Sequence, residues 1–110
     1  MKHILMIATG GTIASKATAD GLTPQLTSGE LLAEVPELEQ LCRIDTVQLM
    51  NRDSTNINSR DWLQMAACVR AHYDAYDGFV LTHGTDTMAY TAAALSYLIQ
   101  NNARPVVITG

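Results

Sequence analysis

Cysteine and positive charge are both scarce in this sequence of 110 residues. Its two cysteines, Cys42 and Cys68, have neither the spacing of a metal site nor the density of a disulfide framework, so we expect free thiols in a reducing compartment. Lysine and arginine together number 7 against 11 acidic residues, and they form no basic stripe. The charge pattern therefore argues against a nucleic-acid partner, since binding to a phosphate backbone needs clustered positive charge.

Long apolar segments are also missing. No stretch is long enough to cross a membrane, and the apolar run before Thr9 is too short for a secretory signal. We therefore expect a cytoplasmic protein without a membrane partner. The sequence does hold an ordinary globular composition, with 47% hydrophobic and 16% charged residues, which is enough for one small domain with a core.

Three short apolar runs have the pattern of buried strands. They occupy residues 4–8, 78–82 and 105–109, and none alternates polar with apolar side chains. Continuous runs of this kind suit a parallel sheet that is covered on both faces. A fourth candidate, residues 43–50, is more polar and is expected nearer an edge of the sheet.

Helical patterns lie between these runs. From Ser59 onward, apolar side chains recur at steps of three and four residues, and Asn58 or Ser59 can cap the helix that they predict. A second helix is predicted over residues 86–101, and a shorter one over residues 28–35. Residues 16–27 are small and polar, which predicts a mobile surface loop.

Strands that alternate with helices predict an α/β fold with right-handed crossovers. We expect an open, doubly wound, mostly parallel sheet of the Rossmann or flavodoxin-like kind. In such sheets, ligands bind outside the carboxyl ends of the strands. The chain stops where the loop after its last predicted strand should begin, so we also expect it to be a truncated part of a longer protein.

Three polar loops follow predicted strands and should meet at one edge of the sheet. The first is Thr9-Gly10-Gly11-Thr12, whose glycines allow a sharp turn that exposes Thr12, a nucleophile once its hydroxyl proton is removed. The second is His83-Gly84-Thr85-Asp86-Thr87, which opens a helix whose free N–H groups attract a carboxylate. The third is Asp53-Ser54-Thr55-Asn56. Each alone fits an ordinary turn or helix cap, whereas together they bring hydroxyls and carboxylates to one place.

Other site chemistries have little support. No glycine-rich fingerprint of dinucleotide binding is present, and the three histidines, His3, His72 and His83, lack the spacing of metal ligands. We expect His83 to be a packed or hydrogen-bonded loop residue rather than a general base, and Trp62 to belong to the core. We therefore expect neither a metal nor a cofactor.

Two stretches of the sequence resemble the signatures of the bacterial-type L-asparaginase/glutaminase family. They are Thr9-Gly10-Gly11-Thr12-Ile13-Ala14-Ser15 and His83-Gly84-Thr85-Asp86-Thr87-Met88-Ala89-Tyr90-Thr91, and Tyr76-Asp77-Gly78-Phe79-Val80 fits the family as well. The resemblance covers essentially the whole chain and makes residues 1–110 the amino-terminal part of the family's amino-terminal domain. The missing leader and the Asp53-Ser54-Thr55 loop are most similar to the cytoplasmic, type I branch.

The resemblance implies a catalytic role at three positions. Thr12 corresponds to the nucleophile that forms an acyl-enzyme, and Thr85 to a second essential threonine. Asp86 corresponds to an aspartate that also binds the α-amino group of the substrate. The implied reaction is hydrolysis of L-asparagine to L-aspartate and ammonia, without a cofactor.

The resemblance also implies a set of substrate-binding positions. Ser54 corresponds to the serine that binds the α-carboxylate of the substrate, and Asp53 and Thr55 flank it in the same loop. The full set of expected substrate contacts is Gly11, Asp53, Ser54, Thr55, Gly84, Thr85 and Asp86.

Two helper residues of the family have no counterpart in this sequence. Many members have a tyrosine in the loop after the first signature, but here Leu22 stands in that place and no tyrosine occurs before Tyr73. The lysine that pairs with the second threonine would lie beyond Gly110. We therefore expect the 110 residues to be inactive alone, with the group that deprotonates Thr12 left open.

Alternative functions stay open at this point. The archaeal-type amidotransferase subunit, which releases ammonia for transfer-RNA-dependent amidation, shares both signatures but carries a further domain ahead of the first one. A non-catalytic module that binds aspartate or asparagine is a third possibility. Either L-asparagine or L-glutamine fits as substrate, because one methylene in a pocket changes binding by only about 1–3 kcal/mol. The resemblance further implies a homodimer or homotetramer for the full-length protein.

Overall fold

The computed structural model describes residues 1–10, 15–18, 21–24 and 28–110. Helices separate the strands of the main sheet along the chain, as predicted. The strands are β1 (His3–Gly10), β2 (Ser15–Thr18), β3 (Gly21–Pro24), β4 (Arg43–Arg52), β5 (Gly78–Thr82) and β6 (Val106–Thr109). The helices are α1 (Ser28–Ala33), α2 (Leu38–Leu41), α3 (Ser59–His72) and α4 (Met88–Leu98), and two 3₁₀ turns cover Ser54–Asn56 and Tyr73–Ala75.

The main sheet contains β4, β1, β5 and β6 in that order, and every neighbouring pair is parallel. The α/β fold with a parallel sheet is thus confirmed, and the polar strand β4 lies at an edge of the described sheet, as its composition indicated. The chain forms β4 on one side of β1 and then crosses over to form β5 on the other. Such a reversal of strand order opens a crevice at the carboxyl ends, which is where ligands bind in these folds.

The core lies between this sheet and helices α3 and α4. These two helices contact each other, and right-handed crossovers place them on one face of the sheet, with α1 and α2 on the other. The spacing predicted for α3 is confirmed at Met65, Ala66 and Val69, which are buried, whereas Leu63 is exposed. The core side chains are Leu5, Ile7, Met65, Ala66, Cys68, Val69, Phe79, Leu81 and Leu95.

Asn58 caps α3 as predicted. Its side-chain oxygen accepts a hydrogen bond from the Asp61 N–H at 3.2 Å, and Asp61 Oδ2 accepts one from the Asn58 N–H at 3.1 Å. This reciprocal arrangement satisfies two backbone donors at the start of the helix. The second oxygen of the buried Asp61 carboxylate lies 3.3 Å from Arg52 Nε, so the cap also fastens the end of β4 to α3.

Helix α4 is shorter than predicted at both ends. It begins at Met88 because Thr87, its N-cap, has a non-helical backbone with φ −123° and ψ 13°, and the Thr87 hydroxyl donates to the Ser54 carbonyl instead of capping the helix. It ends at Leu98 because Ile99 is extended and Asn101 has a positive φ of 55°. The backbone conformations of Thr87 and Ile99 therefore mark the two ends of the helix.

The prediction of a surface loop over residues 16–27 is wrong for the part that the structure describes. Strands β2 and β3 pair antiparallel, with Thr18 opposite Gly21. Two residues separate the strands, which is the spacing of a tight hairpin, and hairpin pairing needs no continuous apolar run. Leu22, at the place of the family's loop tyrosine, lies in β3. Residues 19–20 and 25–27 are outside the described part.

A group of polar side chains, which we call the amino-edge cluster, lies at the amino-terminal edge of the sheet: His3, Asp45, Tyr76 and Asp77. Asp45 Oδ2 accepts from the Tyr76 hydroxyl at 2.8 Å and lies 2.9 Å from His3 Nε2, and these two contacts lower the pKa of the Asp45 carboxyl. The hydrogen bond to Asp45 raises the pKa of Tyr76. The His3 backbone N–H donates to Asp77 Oδ2 at 2.8 Å and lowers the pKa of that carboxyl.

Both cysteines are free thiols, as expected. Cys68 is buried in α3, and burial raises the pKa of its thiol, whereas Cys42 is only partly covered. No helix among the described residues has the length and apolar character needed to span a bilayer.

Candidate active site

The end of β1 is in close contact with the end of β4. Gly10 has a φ of 110°, and a Cβ atom added to it would lie 2.7 Å from the Arg52 nitrogen. A side chain is excluded by both the conformation and the space, so glycine is required at this point. Gly11 and Thr12 follow directly and lie outside the described residues.

The loops that follow β4 and β5 touch each other. A Cβ atom at Gly84 would lie 2.6 Å from Ser54 Cβ and 2.7 Å from Ser54 Oγ. The Thr87 hydroxyl donates to the Ser54 carbonyl at 2.8 Å. Ser54 is buried and is therefore held against the second signature, at the shared edge that parallel strands predict.

Asp53 and Thr55 shape the loop that contains Ser54. Asp53 Oδ1 accepts from the Thr55 N–H at 3.1 Å and from the Thr55 hydroxyl at 3.2 Å. These bonds start the 3₁₀ turn at Ser54–Asn56. Both side chains are exposed at the edge of the sheet, and the hydrogen bonds between them serve the loop itself.

Thr85 and Asp86 are exposed just before α4. Gly110, after β6, passes close to them, since a Cβ atom there would lie 2.9 Å from Thr85 Cγ2 and 2.7 Å from His83 O. The ends of β4, β5 and β6 thus surround the position at which these two polar side chains reach solvent.

A threonine hydroxyl fastens β1 to β5 just inside this edge. Thr9 Oγ1 donates to the Thr82 carbonyl, and both residues are buried. The Thr82 hydroxyl is also buried, and it has no hydrogen-bond partner among the described residues. The first signature therefore leaves the sheet from a point that is tied to the strand before the second signature.

His83 is a buried, hydrogen-bonded loop residue, as predicted. Its Nδ1 lies 2.6 Å from Gly84 O, and its Nε2 lies 2.8 Å from Thr91 Oγ1. Thr91 Oγ1 also accepts from Trp62 Nε1 at 2.8 Å. Trp62 was predicted to belong to the core, which its partly buried ring contacts, and no role was predicted for Thr91. The sequence did contain a signal for this contact: Thr91 lies in a largely apolar helix, and a hydroxyl there needs a hydrogen-bond partner once it is buried.

Within the described part of the chain, neither a group of metal ligands nor the apolar groove beside α4 offers an alternative polar site. In the described part of the chain, no three His, Cys, Asp or Glu side chains lie close enough together to hold a metal ion. A groove of about 650 Å³ between α4 and β6 begins at Thr85, but apolar residues such as Met88, Leu95 and Ile108 line most of it. The polar side chains of Ser54, Thr85 and Asp86 lie instead where the loops after β4 and β5 touch.

Comparison with known proteins gives a consistent result. The family model described as "Asparaginase, N-terminal" matches residues 3–110. The L-asparaginase of Thermococcus kodakarensis is 44% identical over 108 residues, which are 97% of this chain and 33% of that protein. A glutamyl-tRNA(Gln) amidotransferase subunit of Archaeoglobus fulgidus is 40% identical over 112 residues, which are 100% of this chain and 27% of that protein.

Solved structures agree with the sequence relatives. A structure from Campylobacter jejuni, described as "Probable Cytoplasmic L-asparaginase", matches with a TM-score of 0.86 at 35% identity, over 98% of this chain and 32% of the other. The chain therefore spans about a third of the length of the relatives that it matches.

Proposed function

Because the chain belongs to the asparaginase family, we propose that the protein carrying it hydrolyses the side-chain amide of L-asparagine. The observation that carries this proposal is the contact between Gly84 and Ser54, which keeps Ser54 beside Thr85 and Asp86. In the family resemblance, these side chains bind the carboxylate and the ammonium group of an amino acid. A small amino acid with a side-chain amide fits such a pair of contacts.

The proposed reaction has two steps through an ester on Thr12. Thr12 Oγ attacks the amide carbon, the carbon–nitrogen bond breaks, and the hydroxyl proton leaves with the nitrogen as ammonia. Water then attacks the ester carbon, L-aspartate is released, and Thr12 regains its proton. The balance needs only water, so we propose neither a metal nor a cofactor.

Substrate binding supplies the proximity that the first step needs. The Asp86 carboxylate pairs with the α-ammonium group and Ser54 with the α-carboxylate, so the amide is held within reach of Thr12. The Thr85 backbone N–H is our candidate donor to the oxyanion, a contribution of about 10²–10³-fold in rate for such donors. The remaining proposed substrate contacts are Gly11, Asp53, Thr55 and Gly84.

Replacing Thr12 in the full-length protein tests the assignment. Ammonia release by Thr12→Ala should fall to the background rate, while calorimetry still detects aspartate binding through Asp86 and Ser54. Thr12→Ser keeps a hydroxyl and serves as the matched control, which should retain part of the activity. Turnover near the wild-type rate in Thr12→Ala would overturn the nucleophile assignment.

A second candidate function is supported by the 40% identity with the amidotransferase relative from A. fulgidus. In that function, the ammonia would pass to glutamate carried on transfer RNA. The two functions differ in an assay of ammonia release from free L-asparagine and from L-glutamine, with and without glutamyl-tRNA. An L-asparaginase releases ammonia from L-asparagine alone, whereas release that requires the RNA would favour the amidotransferase.

For the isolated 110 residues we propose binding of aspartate or asparagine without turnover, because the lysine partner of Thr85 has no counterpart within them. Ammonia release from the 110-residue chain would contradict this. For the full-length protein we propose a homodimer or homotetramer in the cytoplasm. The description of the C. jejuni relative supports the location, and sedimentation analysis tests the number of copies in the assembly.

A further inference from the structure

The hydrogen bonds around His83 have one consistent direction. An indole N–H only donates and a carbonyl only accepts, so Thr91 Oγ1 accepts from Trp62 and the His83 Nδ1 proton points at Gly84 O. In a neutral ring that carries its proton on Nδ1, Nε2 is an acceptor, and the Thr91 hydroxyl donates to it. We call Trp62, Thr91 and His83 the hydrogen-bond relay.

Burial makes the direction of the relay costly to reverse. His83 is 1% exposed and Thr91 is 0% exposed, so water does not replace a lost partner. With the proton on Nε2 instead, the lone pair of Nδ1 would face the Gly84 oxygen at 2.6 Å, and the Thr91 hydroxyl would lose its acceptor. The relay therefore selects one tautomer and one ring orientation of His83.

The last bond of the relay acts on the peptide group before Thr85. The Gly84 carbonyl and the Thr85 N–H belong to one planar unit, so fixing the direction of the carbonyl fixes that of the N–H. On its other side, Gly84 lies against Ser54 with no room for even a Cβ atom. The peptide is thus held from two sides.

We propose that Trp62, Thr91 and His83 are positioning residues that aim the Thr85 N–H at the oxyanion. This inference rests on the proposed amide hydrolysis. The relay lies behind the edge of the sheet and acts through Gly84 rather than on the substrate. Its effect falls on kcat more than on KM, because an oxyanion donor acts on charge that develops in the transition state.

The kinetic test is Thr91→Val in the full-length protein, a change that keeps the shape of the side chain and removes its hydroxyl. We expect kcat to fall by about 10- to 100-fold, since small misplacements of reacting groups cost up to about 10²-fold, with KM nearly unchanged. Thr91→Ser restores a hydroxyl and should recover most of kcat. If Thr91→Val lowers only the melting temperature and leaves kcat at the wild-type value, the proposal is overturned.

Nitrogen-15 NMR of the histidine side chains gives a second test, which reads the tautomer of the ring directly rather than through kinetics. The wild-type protein should show His83 protonated on Nδ1 and unprotonated on Nε2, with the signals assigned by their loss in His83→Gln. In Thr91→Val this single-tautomer signature should give way to a mixture. A wild-type His83 that carries its proton on Nε2 would overturn the proposal.

The Thr12→Ala variant separates this proposal from the proposed function. If Thr12→Ala keeps normal turnover, the acyl-enzyme reaction and the positioning role both fall. If Thr12→Ala is inactive while Thr91→Val has the wild-type kcat, only the positioning role is overturned.

Discussion

Replacing Gly84 with alanine should force apart the two loops that hold Ser54 beside Thr85. The added Cβ atom would lie 2.6 Å from Ser54 Cβ and 2.7 Å from Ser54 Oγ, where ordinary contact begins at 3.4 Å. The Ser54 backbone nitrogen is also only 3.2 Å away, so rotating the serine side chain does not relieve the clash. The loop itself must move by most of an ångström, against the hydrogen bond from Thr87 to the Ser54 carbonyl.

The expected cost of Gly84→Ala has two parts. Overpacking of a closely packed position destabilises a protein by about 1–3 kcal/mol, which leaves most domains folded. A displacement of about 1 Å in a substrate-positioning group lowers the rate by about 10²-fold. We therefore expect kcat/KM for L-asparagine to fall by about 10²-fold, measured as ammonia release from protein whose folding is checked by thermal denaturation.

Gly78→Ala is the matched control, because it adds the same atom at the opposite end of β5. Its Cβ would lie 3.2 Å from Ile4 Cδ1 and 3.2 Å from Pro105 Cγ, which are side-chain atoms able to shift by a few tenths of an ångström. This variant should lose some stability and keep its kcat/KM. A wild-type kcat/KM in Gly84→Ala, or equal kinetic losses in both variants, would refute the reasoning.

Other contacts of the molecule are tested by smaller changes. Thr87→Val should raise KM by about two- to tenfold, because the Ser54 carbonyl loses a hydrogen bond worth about 0.5–1.5 kcal/mol. In steady-state kinetics the control Thr87→Ser, which keeps the hydroxyl, should have an unchanged KM. An unchanged KM in Thr87→Val would count against a role of this hydrogen bond. Asp45→Asn should destabilise the protein at neutral pH, because a carboxyl whose pKa is lowered in the folded chain stabilises it above the ordinary value of 3.8 and loses that effect as the pH falls. Urea denaturation of variant and wild type should therefore converge at acid pH, and an equal difference at both pH values would contradict the amino-edge cluster as its source. Cys42 should react with a thiol reagent before Cys68, whose pKa is raised by burial, and mass spectrometry after partial labelling would expose the reverse order.

The main sheet was predictable because most of its strands are short, continuous apolar runs in the sequence. β5 occupies the predicted residues 78–82, since an apolar run between Asp77 and His83 admits few other assignments. Strands β2 and β3 were missed because each has only four residues and neither is a continuous apolar run, and they pair with each other in a separate two-stranded sheet. The start of α4 was misplaced because the Thr87 hydroxyl bonds to a residue 33 positions away, which no local pattern encodes.

At the candidate site, the positions of the loops could be predicted from the sequence, whereas the hydrogen bonds that hold them could not. That Ser54 and Thr85 share one edge follows from parallel strands whose carboxyl ends meet. The relay depends instead on how α3 and α4 pack, since Trp62 and Thr91 are 29 residues apart. The prediction that Trp62 belongs to the core accounts for its ring and leaves out its N–H. An indole combines an apolar body with one polar donor, and that donor needs an acceptor.

Every pairing in the four-stranded sheet joins distant parts of the chain. β1 meets β4 with His3 opposite Arg43 and meets β5 with Ile4 opposite Gly78, and the hydrogen bond from Thr9 to Thr82 spans 73 residues. Folding must therefore close large loops, at a cost in chain entropy, before the sheet contacts compensate, and topologies of this kind fold more slowly than helical bundles. The two loops that hold Ser54 and Thr85 follow β4 and β5, which both pair with β1 and not with each other, so these loops are brought together only once β1 has paired on both of its sides.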